Sequence, residues 1–247
     1  MVGTGLEVRI LVALNVKAIT FDVFGTVVDW RNSIAREAES LLSEDGYTVD
    51  GQAFALAWRA RYQPSMEEVR AGRRPFVRLD VLHRENLLDV LREFALENVP
   101  ETTIDQLNRA WHRLASWPDV VSGLTRLKER YIIAPLSNGN VSLMVNLAKH
   151  SGLPWDVILG AEVANAYKPD PEAYRRAAAL LDLDPATCLM VAAHNSDLVA
   201  AAGIGMKTAF VARPTEYGQE QTADLSPEHD FDVVARSFDD LADQLGA

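Results

Sequence analysis

Four short polar segments of this 247-residue chain carry side chains suited to chemistry. Asp22 ends an apolar run, Ser137-Asn138 ends a second, and His194-Asn195-Ser196-Asp197 ends a third. Lys168 lies in a loop just ahead of Pro171. A carboxylate near a lysine stays ionised and can act as a nucleophile or a base. Small hydroxyl and amide groups donate to an anionic substrate, and a histidine with a second carboxylate can move protons near neutral pH. Surface loops carry the same residue types. The chemistry therefore depends on whether the fold gathers these segments at one place.

The elements between them predict that it does. Val16–Asp22 (VKAITFD), Tyr131–Leu136 (YIIAPL), Val157–Leu159, Leu189–Ala193 (LMVAA), Thr208–Val211 (TAFV) and Phe231–Val234 (FDVV) read as short strands without polar alternation, as in a sheet covered on both faces. Helical patterns separate them, including one opened by Pro171 that carries Ala173, Tyr174, Ala177, Ala178 and Leu181. Strands alternating with helices predict a parallel, doubly wound α/β sheet, in which ligands bind just past the carboxyl ends of the strands. Gly25 supplies the backbone freedom for a tight turn after Asp22, and Ser33 is the expected N-cap of the first helix. From about Asp50 to Ala115 the chain shows helical periodicity and no strand: Phe54, Trp58 and Tyr62 form one stripe, Leu79, Leu82, Leu87, Leu88 and Leu91 another, with Gly72–Pro75 between them. This predicts an all-helical cap over residues 33–115, inserted in a core made of residues 1–32 and 116–247.

Composition narrows the field. With 24 basic against 35 acidic residues and a net charge of −11, the chain is a poor non-specific ligand for nucleic acid, which needs Lys and Arg on phosphates, or for an anionic membrane surface. No apolar run approaches the roughly 20 residues of a membrane helix. Ile10–Leu14 is too short for a signal peptide and lacks a cleavage pattern. A single cysteine, Cys188, forms no internal disulfide and fits packing in a strand. These features predict a cytoplasmic protein. His83, His112, His150 and His229 show no metal-ligand spacing and read as surface or packing residues. Trp111, Trp117 and Trp155 read as core or junction aromatics, Trp30 and Trp58 as candidate pocket aromatics. The acidic stretch Asp239–Gln244 reads as a solvated helix face.

Phe21–Val27 (FDVFGTV), Leu136–Gly139 (LSNG), Tyr167–Tyr174 (YKPDPEAY) and Val191–Asp197 (VAAHNSD), with the Trp58-Arg59 pair between the first two, resemble the ordered motifs of the haloacid dehalogenase superfamily, and more narrowly its type II L-2-haloacid dehalogenases. The resemblance spans roughly Lys17 to Arg213 and implies a Rossmann-like core with a helical cap. The superfamily's phosphatases carry an acid two residues after the nucleophile and an acidic pair near the last motif for Mg²⁺. Here those places hold Phe24, which transfers no proton, and Ala193-His194. Both departures favour metal-free displacement at carbon, with no cofactor. A Mg²⁺-dependent phosphatase acting on a small phosphate ester is the alternative; a hydrolase acting on another activated carbon and a non-catalytic binding relative rank below it.

The resemblance implies that Asp22 attacks C2 of a short L-2-haloalkanoate with inversion and forms an aspartyl ester, which water then opens to the 2-hydroxy acid. Haloacetates and fluoroacetate are within the implied range. Lys168 would keep Asp22 ionised, and Asp197 would orient Lys168 or the water. Arg59, Ser137 and Asn138 would bind the carboxylate or the leaving halide. Thr26 would hold the nucleophile loop, Phe24 would border the substrate, and Tyr174 would support the site. The segment from Ala192 to Ser196 departs from the better-known type II enzymes. There His194 is open to three readings (general base, donor to halide or carboxylate, loop residue), and Asn195 is a second candidate for holding the water. Phe76 and Leu79 are candidates for shaping the pocket. Family members are commonly dimers, so the resemblance also implies a homodimer.

Overall fold

The computed structural model describes residues 14–247; Ile10–Leu14 lies, apart from Leu14, outside them. Six parallel strands form one sheet: β1 (Ala18–Phe21), β2 (Ile132–Ser137), β3 (Leu159–Gly160), β4 (Cys188–Ala192), β5 (Lys207–Val211) and β6 (Val233–Ala235), in the order β3-β2-β1-β4-β5-β6. Phe21 pairs with Pro135 on one side and Val191 on the other. The chain winds outward from β1 in one direction and then returns to its other side through β4. The switch point, where an open parallel sheet leaves a crevice, thus lies between β1 and β4. Asp22 is the next residue after β1.

Both faces of the central strands are buried. Ile19, Phe21, Leu189 and Val191 belong to one apolar cluster, whereas Ala18, Met190 and Ala192 belong to the opposite one. The period of two along a strand accounts for this division, and it explains the continuous apolar runs in the sequence.

Residues 30–113 contain only helices: α1 (Trp30–Glu44), α2 (Gly51–Ala60), α3 (Tyr62–Arg70), α4 (Leu79–Glu93), α5 (Glu101–Asn108) and a 3₁₀ turn over Arg109–Arg113. The expected N-cap of α1 is corrected. Asp29 caps it, accepting from Asn32 N at 3.1 Å, and Ser33 lies inside the helix, where its hydroxyl accepts from Ala115 N at 3.0 Å. Asp is as good a cap as Ser, and starting the helix at Trp30 buries that indole fully. The aromatic stripe at 54, 58 and 62 spans a break at Arg61, so Tyr62 opens α3 rather than continuing α2.

The remaining helices are α6 (Val120–Lys128), α7 (Val141–Ser151), α8 (Ala161–Ala164), α9 (Pro171–Leu180), α10 (Asn195–Ala202) and α11 (Phe238–Gln244). In α9, Pro171 takes the first turn and Asp170 caps it through Glu172 N at 2.9 Å, which aims Tyr174 back at the sheet rim. Phe238, Leu241 and Ala242 of α11 are buried. Among the described residues no helix is long and apolar enough to cross a membrane.

Candidate active site

The backbone of Asp22 continues the sheet ladder, its N–H donating to Val191 O at 2.9 Å. The chain then turns through Gly25, at φ +96°. Thr26 sits at the base of this turn. Its hydroxyl donates to Asp22 Oδ2 at 2.7 Å and accepts from Ala193 N at 2.9 Å, clamping the loop after β1 to the end of β4. Asn138, at the end of β2, accepts through Oδ1 from Lys168 N at 2.7 Å and so holds the lysine loop against the sheet.

Lys168 Nζ stands between two carboxylates, 2.9 Å from Asp22 Oδ1 and 2.5 Å from Asp197 Oδ2. Tyr174 donates its hydroxyl to Asp197 Oδ1 at 2.5 Å. His194 bridges two acids: Nδ1 lies 3.1 Å from Asp22 Oδ2 and Nε2 lies 2.9 Å from Glu216 Oε2. Ionised carboxylates only accept hydrogen bonds, so both ring nitrogens must donate and the imidazole carries a full charge.

Burial makes these charges depend on one another. Burial pushes the Asp22 carboxyl up, but Lys168 and then His194 outweigh it and hold the group far below the ordinary carboxylate range. Burial likewise opposes the charge of Lys168, and Asp197 and Asp22 more than restore it. Asp197 moves the other way. Burial raises it, and Asp22's charge adds to the rise against Lys168. One carboxylate is thus a permanent anion and the other is closer to accepting a proton, which is how acid and base roles divide between paired carboxylates. His194 is held well above its ordinary value, Glu216 and Asp22 overcoming burial.

A cavity of about 230 Å³ opens over this network, lined by Asp22, Phe24, Asn138, Lys168, Tyr174, His194, Ser196 and Asp197 on the core side and by Arg59, Tyr62 and Gln63 on the helical side. Arg59 lies over Tyr62, its guanidinium carbon 4.1 Å from the ring centroid, with Trp30 at 5.3 Å and Phe24 at 6.0 Å. Its Nη1 is buried without a hydrogen-bond partner among the described residues. Burial opposes this charge, but Tyr217, Tyr62 and Glu216 together favour it.

Of the residues singled out in the sequence, Asp22, Phe24, Arg59, Asn138, Lys168, Tyr174, His194 and Asp197 meet at the cavity, and Thr26 acts one bond behind it. Two do not face it. Ser137 turns its hydroxyl to accept from Gly139 N at 3.0 Å, shaping the loop after β2. The Asn195 amide binds the segment after β5, donating to Asp224 Oδ1 at 2.8 Å and Ser226 O at 3.1 Å while accepting from Glu228 N at 2.8 Å. Asn195 is thus tied to that segment and does not line the cavity, which makes it an anchor of the β5–β6 connection. Phe76 packs on Tyr167 at 5.1 Å and Leu79 is buried, both away from the lining. Trp30 and Trp58 are buried behind it, Trp58 donating to His83 O at 2.9 Å.

Sequence reasoning missed Glu216, Tyr217 and Asp224. All three lie in the long irregular connection between β5 and β6, where no motif or periodicity marks them. Arg213 fixes the start of that connection, with Nε on Thr26 O at 2.9 Å and both Nη atoms on Asp119 at 3.0 Å.

A Mg²⁺ site of the kind found in the superfamily's phosphatases does not fit these side chains. Both oxygens of Asp22 already face cations, Lys168 and protonated His194, and an entering divalent ion would meet positive charge where it needs anionic oxygen ligands.

A family model described as haloacid dehalogenase-like hydrolase matches residues 16–205. The chain is 30% identical over 209 residues, 82% of its own length and 87% of the relative's, to (S)-2-haloacid dehalogenase 4A of Burkholderia cepacia. Its structure superposes with a TM-score of 0.92 on a defluorinating L-2-haloacid dehalogenase, at 52% identity and with 94% and 96% of the two chains covered. A second L-2-haloacid dehalogenase matches at a TM-score of 0.91 and 46% identity, with 94% and 99% covered.

Proposed function

The chain belongs to the haloacid dehalogenase-like hydrolase family, and from that premise we propose that it hydrolyses the carbon–halogen bond of short L-2-haloalkanoates, including haloacetates, through Asp22, with residues 33–115 acting as the cap. The observation that carries this reading is the ionised Asp22 beneath a small cavity whose opposite wall offers Arg59 with a buried N–H unmatched among the described residues. Asp22 Oδ1 attacks C2 from the side opposite the halogen, the carbon–halogen bond breaks with inversion, and an aspartyl ester forms. Arg59 and Asn138 supply donors for the substrate carboxylate and the departing halide. Asp197, the more basic of the two carboxylates, takes a proton from the water that opens the ester. Phe24, which is buried against Trp111 and Tyr62, gives the site an apolar edge and no acid for a phosphate leaving group. The 52% identity to a defluorinating enzyme supports extending the halogen range to fluoride. The soluble character expected of such an enzyme is in keeping with a cytoplasmic location.

The test is halide release from L- and D-2-chloropropionate, chloroacetate and fluoroacetate, in EDTA and in Mg²⁺. Release from the L-substrate in EDTA, lost on the order of 10⁴-fold or more in Asp22→Asn, is the expected result. Turnover of phosphate esters alone, and only with Mg²⁺, would overturn the reading. Absence of fluoride would restrict the halogen range only.

A further inference from the structure

Glu216 is buried, 1% exposed, and is reached from three directions. The Trp30 indole N–H of α1 donates to its Oε1 at 2.8 Å, and His194 Nε2 lies 2.9 Å from its Oε2. Gly25, in the turn after the nucleophile, lies so close that a Cβ there would sit 2.1 Å from Oε1. A buried carboxylate is costly unless it is paired and hydrogen-bonded, and this one holds a single orientation within a rigid enclosure. Its effect is to fix the far side of His194, whose Nδ1 faces Asp22 Oδ2 at 3.1 Å.

The two Asp22 oxygens differ in the donors they face. Among the described residues Oδ1 meets only Lys168 Nζ, whereas Oδ2 accepts from the Thr26 hydroxyl and from His194. A carboxylate oxygen has room for about two donors, so Oδ1 keeps the free lone pair and becomes the ester oxygen. Oδ2 becomes the ester carbonyl. When water adds to Cγ, the carbonyl electron pair moves onto Oδ2, between two donors already in place. Fixed donors at the point where charge develops form an oxyanion hole.

We propose that Glu216 is a positioning residue for the second half of the reaction, holding His194 so that its Nδ1–H and the Thr26 hydroxyl form the oxyanion hole in which the Asp22 ester is hydrolysed. The proposal rests on the covalent Asp22 reading above. In that step the water oxygen bonds to Cγ and one water proton passes to Asp197 and then to solvent. The electron pair then returns from Oδ2 to re-form the Cγ carbonyl, and the Cγ–Oδ1 bond gives up its pair to Oδ1, which leaves as the hydroxyl oxygen of the product. The bond between Cγ and the water oxygen persists, the bond from Oδ-ester to Cγ breaks, and the 2-hydroxy acid leaves with the second water proton. The Asp22 carboxylate is thereby regenerated with one oxygen from water. Charged and titratable groups around His194 are Asp22 after β1, Glu216, Tyr217 and Asp224 in the β5–β6 connection, Lys168 and Asp197 across the cavity, and Arg59 from α2.

Rapid-quench measurement with L-2-chloropropionate, following chloride, hydroxy acid and protein-bound ester by intact mass, separates the two half-reactions. In Glu216→Gln the first-turnover chloride release stays near wild type, while ester hydrolysis slows about 100-fold and the ester accumulates. The slowing grows as pH rises from 6 to about 8, because the imidazole loses its counter-charge and deprotonates. Trp30→Phe, which keeps the carboxylate and removes its indole donor together with part of the buried ring, accumulates less ester in the same direction, and it serves if Glu216→Gln does not fold. Ester hydrolysis at the wild-type rate in these variants, or equal slowing of both half-reactions, overturns the proposal. Absence of any ester in turning-over wild type overturns the covalent reading itself, and this inference with it.

Discussion

The two walls of the cavity differ in how completely their polar groups are matched. On the core wall, Asp22, Lys168, Asp197 and His194 spend their polar groups on one another and on Thr26, Tyr174 and Glu216. On the helical wall, Arg59 Nη1 has no partner among the described residues, and neither do both ring nitrogens of His83, Asn86 Nδ2 and Trp111 Nε1 behind it. His83 stacks on Trp111 at 4.3 Å, and burial pushes it down to about 3, so it is neutral. The core wall is organised before substrate arrives, as a group that must react in one geometry requires. The helical wall holds one cation among aromatic faces, a surface that an anionic ligand completes.

Removing the centre of the core wall should have the largest effect. Lys168→Met leaves Asp22 and Asp197 facing each other without their shared cation, and stability should drop by about 3–5 kcal/mol, with halide release falling to background. A denaturant midpoint close to wild type would show that the network is less tightly coupled than its distances imply. On the helical wall the balance should reverse. Arg59→Lys keeps the charge but loses the planar fork, so kcat/KM should fall about 10- to 100-fold while the thermal midpoint hardly moves. Equal losses in both quantities would erase the distinction between the walls.

Asn195→Ala tests whether the β5–β6 connection belongs to the organised wall. It should cost about 1–3 kcal/mol through the orphaned Asp224 and Glu228 contacts, with a rise in KM larger than the fall in kcat. A selective loss of ester hydrolysis would instead restore the residue to the water. The smallest effect is a pH slope. His194 has a folded pKa above its ordinary 6.5, so its stabilisation is fully present below that value and is lost as pH rises toward the folded pKa. The unfolding free energy should decline across this alkaline window by at most about 1.4 kcal/mol per pH unit, read from denaturant titrations at each pH. His194→Gln should flatten that limb; an unchanged slope would assign it to another group.

Much of this was legible from spacing. Asp22, Lys168 and Asp197 stand directly behind strands or in the loop before a proline-opened helix, and parallel strands deliver such positions to one rim. Arg59 was legible only through the resemblance of the Trp58-Arg59 pair to the family pattern, and the all-helical nature of the stretch from about Asp50 to Ala115 through its apolar stripes. Where the Ser137 and Asn195 side chains turn was not legible, because position at a rim does not fix the direction of a short polar side chain; Ser137 meets Gly139 N and Asn195 the segment between β5 and β6. Glu216 left no local signal, since a lone glutamate in an irregular connection looks like any solvated residue.

The amino-acid sequence by itself determined the α/β class and the helical insertion, because periodicity and strand-end placement are properties of short segments; the roles proposed for Asp22 and Lys168 came from the resemblance of their motifs to a family. Only the tertiary structure decided which oxygen of Asp22 is free, that His194 is a charged donor, and that Glu216 stands behind it. Those outcomes depend on contacts between residues as far apart as Gly25, His194 and Glu216, and on burial, which sets the cost of every charge left without a partner.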